Sequence, residues 1–207
     1  MPQTIVSGNT ALGQSFEVNF ENGHKVLNSA NANYSFGSLH QIMLKGLVAV
    51  LKHHEPKRIL MLGLGAGSAL KILANKCHWP YTVDAVEIDA DIVALAKQHF
   101  DLDQYNNLSI MVQDAQEAVK QLSDNAYDLI IDDVFLDDAI PVFCATDEYL
   151  LQISRIMSDT GIYWRNTMAH SEQQISQYHI LLERCFNQVQ VLEHKQFGNK
   201  LYFCQNS

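Results

Sequence analysis

Seven residues have the types and spacing to do chemistry. Gly63, Gly65 and Gly67 alternate along one short stretch. Glu87 and Asp89 follow about twenty residues later, the distance at which a strand-end acid meets ribose hydroxyls in nucleotide-binding units. Asp114 and Asp133 end two further apolar runs. Alternate glycines let the backbone turn sharply and let a ligand approach where a Cβ would collide. Glycine loop and acid together indicate a nucleoside-containing cofactor. The alternative is an α/β domain that uses its glycines only for packing.

The elements that must position these residues can be read around them. Ile59-Leu60-Met61-Leu62 enters the loop and is too short for a helix, so it reads as a buried parallel strand. Ser68 to Lys76 follows as a helix, and Val83 to Val86 as the next strand. Ala90 to His99 is predicted as a helix with Asp89 at its N-cap. Leu108 to Val112 is the third strand and leads to Gln113-Asp114. Ala115 to Leu122 is a helix. Tyr127 to Ile131 is the fourth strand, ending at Asp132-Asp133, with Asp128 in the turn before it. A loop from Val134 to Ala145 contains Pro141. Thr146 caps a helix to Met157, with Asp147 and Glu148 in the favourable first turn. Ile162-Tyr163-Trp164 is the fifth strand. Ser171 with Gln174 forms a capping box and starts a helix to Cys185. Val189 to Leu192 and Leu201 to Phe203 flank Gly198-Asn199 as a closing antiparallel hairpin.

Before the glycine loop, residues 1 to 15 read as a loose end. Phe16 to Phe20 alternates apolar and polar, Asn22-Gly23 is a hairpin turn, and Lys25-Val26-Leu27 returns. Asn28 to Tyr34 is a polar loop. Ser38 with Gln41 opens a helix whose apolar face is Leu39, Ile42, Met43, Leu47, Val50 and Leu51, ending before Pro56. The expected fold is α/β: a doubly wound, mostly parallel seven-stranded sheet with a short N-terminal β-hairpin. The expected division is a hairpin segment, residues 1–37, and a main domain, residues 38–207. Ligands of such sheets sit beyond the carboxyl ends of the strands. Glu87, Asp89, Asp114 and Asp133 all fall there.

The chain has 207 residues, 47% hydrophobic, enough for one full core. Its net charge of −9 argues against nucleic acid or an anionic membrane as a partner. A small basic substrate remains compatible. Cys77, Cys144, Cys185 and Cys204 are far apart, as in a reduced cytoplasmic chain. The histidines form no ligand pattern, so no metal is expected. Met1-Pro2-Gln3-Thr4 does not open a signal peptide, and no apolar run approaches the ~20 residues of a membrane span.

The kind of nucleoside follows from what the loop lacks. A dinucleotide loop wants Gly or Ala where Ser68 stands, and no lysine is present to hold phosphate. Asp114 is placed to meet an adenine amino group. One acid for ribose and one for adenine suit adenosine without phosphates. S-adenosylmethionine and its relatives fit, being cationic at sulfur.

Arg58 to Ser68, Ala85-Val86-Glu87-Ile88-Asp89, Val112-Gln113-Asp114-Ala115 and Tyr127 to Asp133 together resemble the spermidine synthase family, within the class I S-adenosylmethionine fold. Element order extends the resemblance over about Phe16 to Gln205. The loop Asp133 to Pro141 is similar to a spermidine synthase-like branch. The resemblance implies that Gly63, Gly65 and Gly67 line the tail of the donor. It implies that Glu87 holds the ribose and that Asp114 and the backbone of Ala115 hold the adenine. Asp133 matches the acid that takes a proton from an attacking amine, a role open to a strand-end carboxylate. Asp132, Asp137 and Asp138 would add negative potential for a cationic acceptor, although the last two also read as a solvated loop.

The sequence also departs from that family. Ala66 stands where aminopropyltransferases carry an Asp that would repel a methionine carboxylate and favour the decarboxylated donor. Of the polar acceptor contacts before the first long helix only His40 matches; Ser35 and Leu39 replace an Asp and a Tyr. The expected activity is transfer of an alkyl group, methyl before aminopropyl, from S-adenosylmethionine or decarboxylated S-adenosylmethionine to a small acceptor such as a cationic amine. The alternatives are a true aminopropyltransferase making spermidine or another polyamine, and a non-catalytic nucleoside-binding protein. The helix from Ser38 and the terminal hairpin are candidate surfaces for a homodimer.

Overall fold

The computed structural model describes residues 2–29, 38–136, 139–168, 171–194 and 199–206. The side chains of Ser38, Leu39 and His194 lie outside that description. So do Ser35, Asp137, Asp138 and Gly198. Among the described residues no helix is long and apolar enough to cross a membrane.

Two sheets organise the chain. The first is antiparallel, in the order β1 (Gln3–Asn9), β2 (Ser15–Glu21), β3 (His24–Asn28). The Asn22-Gly23 turn has both residues at positive φ (49° and 83°), the requirement of a two-residue hairpin turn. The expected hairpin is therefore present, but a third strand joins it. Residues 3–9, expected as a loose end, pair along β2 with a register shift between Thr4 and Val6. Their polar composition hides the strand, because most of its side chains face solvent.

The second sheet has seven strands: β4 (Arg58–Leu62), β5 (Thr82–Glu87), β6 (Leu108–Val112), β7 (Tyr127–Asp132), β8 (Met157–Met168), β9 (Gln188–His194) and β10 (Asn199–Gln205). Its order is β6-β5-β4-β7-β8-β10-β9. Only β10 runs against its neighbours, pairing antiparallel with both β8 and β9. The helices are α1 (Ser38–Leu51), α2 (Ser68–Lys76), α3 (Ala90–Phe100), α4 (Ala115–Gln121), α5 (Asp147–Ile156) and α6 (Glu172–Cys185). Asp89, Asp114, Thr146 and Ser171 cap α3, α4, α5 and α6 through side-chain oxygens.

Strand alternation divides the core in two. Ile59, Met61, Leu129, Ile131, Ile162 and Trp164 face one side, with α1 and α2 residues such as Leu47 and Leu73. Leu60, Leu62, Ile130, Tyr163 and Leu150 face the other. Strands covered on both faces explain why β4 and β7 read as continuous apolar runs. Helix α1 comes close to the sheet at Gly46, where a Cβ would stand 2.3 Å from the Trp164 indole nitrogen. A third cluster, Val18, Leu27, Ala66, Ile92 and Leu95, joins the small sheet to the glycine loop and α3.

Two further boundaries differ from expectation. Strand β8 begins at Met157 rather than near Ile162. Its polar opening pairs with Tyr127 through a register shift, and Gly161 fits there because a Cβ would meet the Tyr127 carbonyl at 2.9 Å. Asn199, expected in the closing turn, is instead the buried first residue of β10.

Candidate functional site

Strand order reverses between β4 and β7, and the predicted residues gather at the carboxyl edge on both sides of that point. Backbone hydrogen bonds extend the ladder past the strand ends. Gln113 N–H donates to the Glu87 carbonyl at 3.0 Å, and Gly63 N–H to the Val86 carbonyl at 3.0 Å. Asp133 N–H donates to the Leu62 carbonyl at 2.9 Å. Asp114, Glu87, the glycine loop and Asp133 thus lie along one strip across four adjacent strands, about 14 Å long at the usual strand spacing.

The loop itself follows from its glycines. Gly63, Gly65 and Gly67 all have left-handed φ, at 83°, 52° and 78°. At Gly63 the space is also closed, since a Cβ would lie 2.6 Å from the Asp133 carbonyl oxygen. Loop and catalytic candidate therefore touch through backbone. Ala66 is buried in the apolar cluster with Val18 and Leu27, so the small sheet closes over the loop.

Glu87 is not a free arm. Its Oε2 accepts from Leu64 N–H at 3.1 Å and Gly65 N–H at 3.0 Å, and its Oε1 from Asp89 N–H at 3.2 Å. It braces the loop and keeps little acceptor capacity beyond that. Burial pushes its pKa up, and the three backbone donors oppose the shift. Asp89, expected both as cap and as cofactor contact, caps α3, and its second oxygen, Oδ2, is buried with no hydrogen-bond partner among the described residues. Its Oδ1 accepts from Asp91 N–H at 2.9 Å, and its 2% exposure leaves no accessible oxygen at the edge. Asp114 uses one oxygen, accepting from Gln116 N–H at 2.7 Å, and stays half-buried with the other oxygen uncommitted to that cap. The Ala115 side chain is in the core, and its N–H belongs to the open first turn of α4. Ile88 and Val112, to which the sequence assigns no role, stand 43% and 53% exposed beside Glu87 and Gln113. The sequence shows only an apolar residue next to each strand end; their exposure appears only in the fold.

The two adjacent acids separate. Asp132 is fully buried. It accepts from Tyr149 Oη at 3.0 Å and Tyr163 Oη at 2.8 Å, and is paired with Arg165, also fully buried. Burial works against the Arg165 charge, yet Asp132 holds its pKa well above the usual value. Arg165 also donates to the Val134 carbonyl at 3.2 Å, pinning the loop after Asp133. Asp132 is an internal anchor, not a carboxylate presented to an acceptor. Asp133 is half-buried and accepts from Asn166 Nδ2 at 2.8 Å. Burial is the main cause that pushes its pKa up to about 7; Asn166 and Arg165 oppose the rise, and Asp132 adds to it. His40, at the start of α1, has a pKa lowered by burial and by Lys71 and His24. The lowered pKa favours the neutral imidazole, which carries one acceptor nitrogen. Asp137 and Asp138 lie outside the described residues.

The family model described as a methyltransferase domain matches residues 53–205. The chain is 32% identical over 128 residues to a polyamine aminopropyltransferase of Vibrio vulnificus, covering 61% of this chain and 42% of that one. It is 27% identical over 192 residues to the eEF1A lysine and N-terminal methyltransferase of Mus musculus, covering 86% and 27%. The chain thus spans less than half the length of these curated relatives. Among solved structures, a probable spermidine synthase from Corynebacterium glutamicum superimposes with a TM-score of 0.84 at 19% identity, covering 100% and 81%. Human methyltransferase-like protein 13 in complex with SAH gives 0.69 at 22%, covering 83% of each. These two likenesses establish the fold. With most of its length matched by one family model, the chain belongs to the methyltransferase domain family, and within that fold it resembles spermidine synthases.

Proposed function

We propose that this chain transfers a methyl group from S-adenosylmethionine to an amine, with Asp133 as the base. One observation carries the reading: the Asp133 carboxylate, with a pKa raised to about 7, is held beside the backbone of the glycine loop at the topological switch point. A donor laid along the strip would place its adenine between the exposed Ile88 and Val112, with Asp114 on the amino group. Its ribose would meet the one acceptor site left on Glu87 Oε1, and its tail would run along Gly63, Gly65 and Gly67. The donor supplies an electrophilic carbon on a sulfonium. As the nitrogen–carbon bond forms and the carbon–sulfur bond breaks, Asp133 takes the amine proton. The glycine loop fits this reading, since a Cβ at Gly63 would fill the space against Asp133.

The match to a methyltransferase domain supports methyl transfer. So does Ala66, which puts an apolar methyl where an acid would reject the methionine carboxylate. The acceptor is proposed as small and amine-bearing; relatives named for polyamines and for a protein lysine both act on amines. Free, separated cysteines fit a reducing, cytoplasmic setting. The second reading, aminopropyl transfer from decarboxylated S-adenosylmethionine, draws on the 32% identical relative. Calorimetric titration with S-adenosylmethionine, its decarboxylated form and methylthioadenosine tests all of this. Tight binding of the first is expected. Preference for the decarboxylated donor, with putrescine consumed, would establish the second reading. Binding of none would end both.

A further inference from the structure

Asp133 ends a short string of buried amides. Asn166 on β8 is 2% exposed and Asn199 on β10 is 3% exposed. The antiparallel register sets Asn199 opposite Met168 and Leu201 opposite Asn166. The two asparagines are therefore diagonal neighbours on one face of the sheet. That face is otherwise apolar: Ile162, Trp164 and Leu201 belong to its core cluster. Polar groups placed there cost stability unless they bond. They do: Asn166 Nδ2 donates to Asp133 Oδ1 at 2.8 Å, and Asn199 Nδ2 donates to Asn166 Oδ1 at 3.0 Å.

The direction of the string is fixed by chemistry. An ionised carboxylate only accepts, so Asn166 must offer it the amino end. The carbonyl end of Asn166 then needs a donor, and Asn199 supplies one. Each bond polarises the next, making Asn166 a stronger donor than an isolated amide.

We propose that Asn166 and Asn199 are positioning residues that pin Oδ1 of Asp133 and leave Oδ2 as the atom that receives the acceptor's proton. The inference rests on the methyl-transfer reading of the site. A proton arriving at Oδ2 leaves the Asn166 bond intact, because Oδ1 still accepts. The rotamer of the base is thereby the same before and after transfer. The other charged groups facing Asp133 are Arg165 and Asp132. Both are buried in the Tyr149–Tyr163 network, so a change at Asn199 does not remove them.

The test is a carboxyl-carbon NMR titration of Asp133 in the full chain, read beside the pH profile of transfer. Asn166→Leu removes the donor and should raise the Asp133 midpoint by about one unit. Asn199→Leu touches neither Asp133 nor the acceptor. It should raise the midpoint in the same direction by about half a unit, and the acid limb of the rate should move with it. Asn199→Thr keeps a hydroxyl donor and should return both towards the parent values. The titration needs no substrate. A chain that binds no donor yet shows these shifts removes the transfer reading and keeps the amide string. If Asn199→Leu and Asn199→Thr both lower the melting temperature and leave the carboxyl midpoint unmoved, Asn199 is structural and the proposal is overturned.

Discussion

Asp132 and Asp133 are adjacent in sequence and serve opposite faces of the sheet. Asp132 turns to the α5 side, where two tyrosine hydroxyls and Arg165 consume its acceptors. Asp133 turns to the side of Trp164 and Asn166, where a single amide holds it. A strand's period of two makes this separation unavoidable. The buried pair also serves the other acid, because Arg165 reaches the Val134 carbonyl and its guanidinium lies 5.8 Å from the centre of the Phe135 ring. One carboxylate, through Arg165, fixes the loop that follows the other.

Replacing Asp133 by Asn keeps the shape and the bond partner but removes the base. Transfer should fall by at least about 100-fold, the usual worth of a positioned acid–base group. Affinity for S-adenosylmethionine should stay within a few-fold, because Asp133 sits beyond the loop that would hold the donor. Calorimetry and a single-turnover assay read the two separately. Unchanged turnover would remove Asp133 as the base.

Asp132→Ala should act on stability. It leaves Arg165 charged, buried and unpaired, a loss of about 3–5 kcal/mol for a broken buried pair. Denaturant midpoints would show it. If Asp132 instead contacted the acceptor, the same variant would raise KM and leave the midpoint unchanged.

The pH dependence has a definite sign. Asp133 titrates at about 7 in the fold against an ordinary 3.8. A base must be ionised, so transfer should rise through pH 7 and level off above it. For stability the sign reverses. A carboxyl with a raised pKa favours the folded state while protonated, and that contribution is lost as pH rises from about 4 through 7. Asp133→Asn should therefore melt higher than the parent protein at pH 8 and close to it at pH 4. Equal melting differences at both values would contradict the raised pKa.

The sheet was legible because its strands are buried on both faces and its helices carry caps: Asp89, Thr146 and Ser171 each bond as their positions require. The carboxyl edge was legible through Gly63, Glu87 and Asp114 for the same reason, as local signals that do not depend on distant chain. Three things were not. Strand β1 shows no apolar–polar alternation, leaves six of its seven positions exposed, Ile5 among them, and is paired along β2. Asp132 and Asp133 look alike until parity assigns them to faces. Asn166 and Asn199 are 33 residues apart and meet only through the β8–β10 register. Long-range polar pairs leave no trace in a local pattern.

Ala66 offers the sharpest test of donor choice. Its methyl packs with Val18, Leu27, Ile92 and Leu95, where the small sheet meets the glycine loop. Ala66→Asp would place a carboxylate beside the proposed path of the donor's tail and under that sheet. A negative charge a few ångströms from a methionine carboxylate repels it by a few kcal/mol at an effective dielectric of about 20. The decarboxylated donor lacks that group. The variant should therefore lose at least about tenfold in affinity for S-adenosylmethionine relative to the decarboxylated form. It should also lose stability, since an acid replaces a buried methyl. Ala66→Asn separates the two effects: it is polar and of similar size but uncharged, so it should share the stability loss and not the change in preference. Calorimetry with both donors on both variants decides the matter. If Ala66→Asp weakens the two donors equally, the tail does not pass this residue, and Ala66 serves only to seat the small sheet.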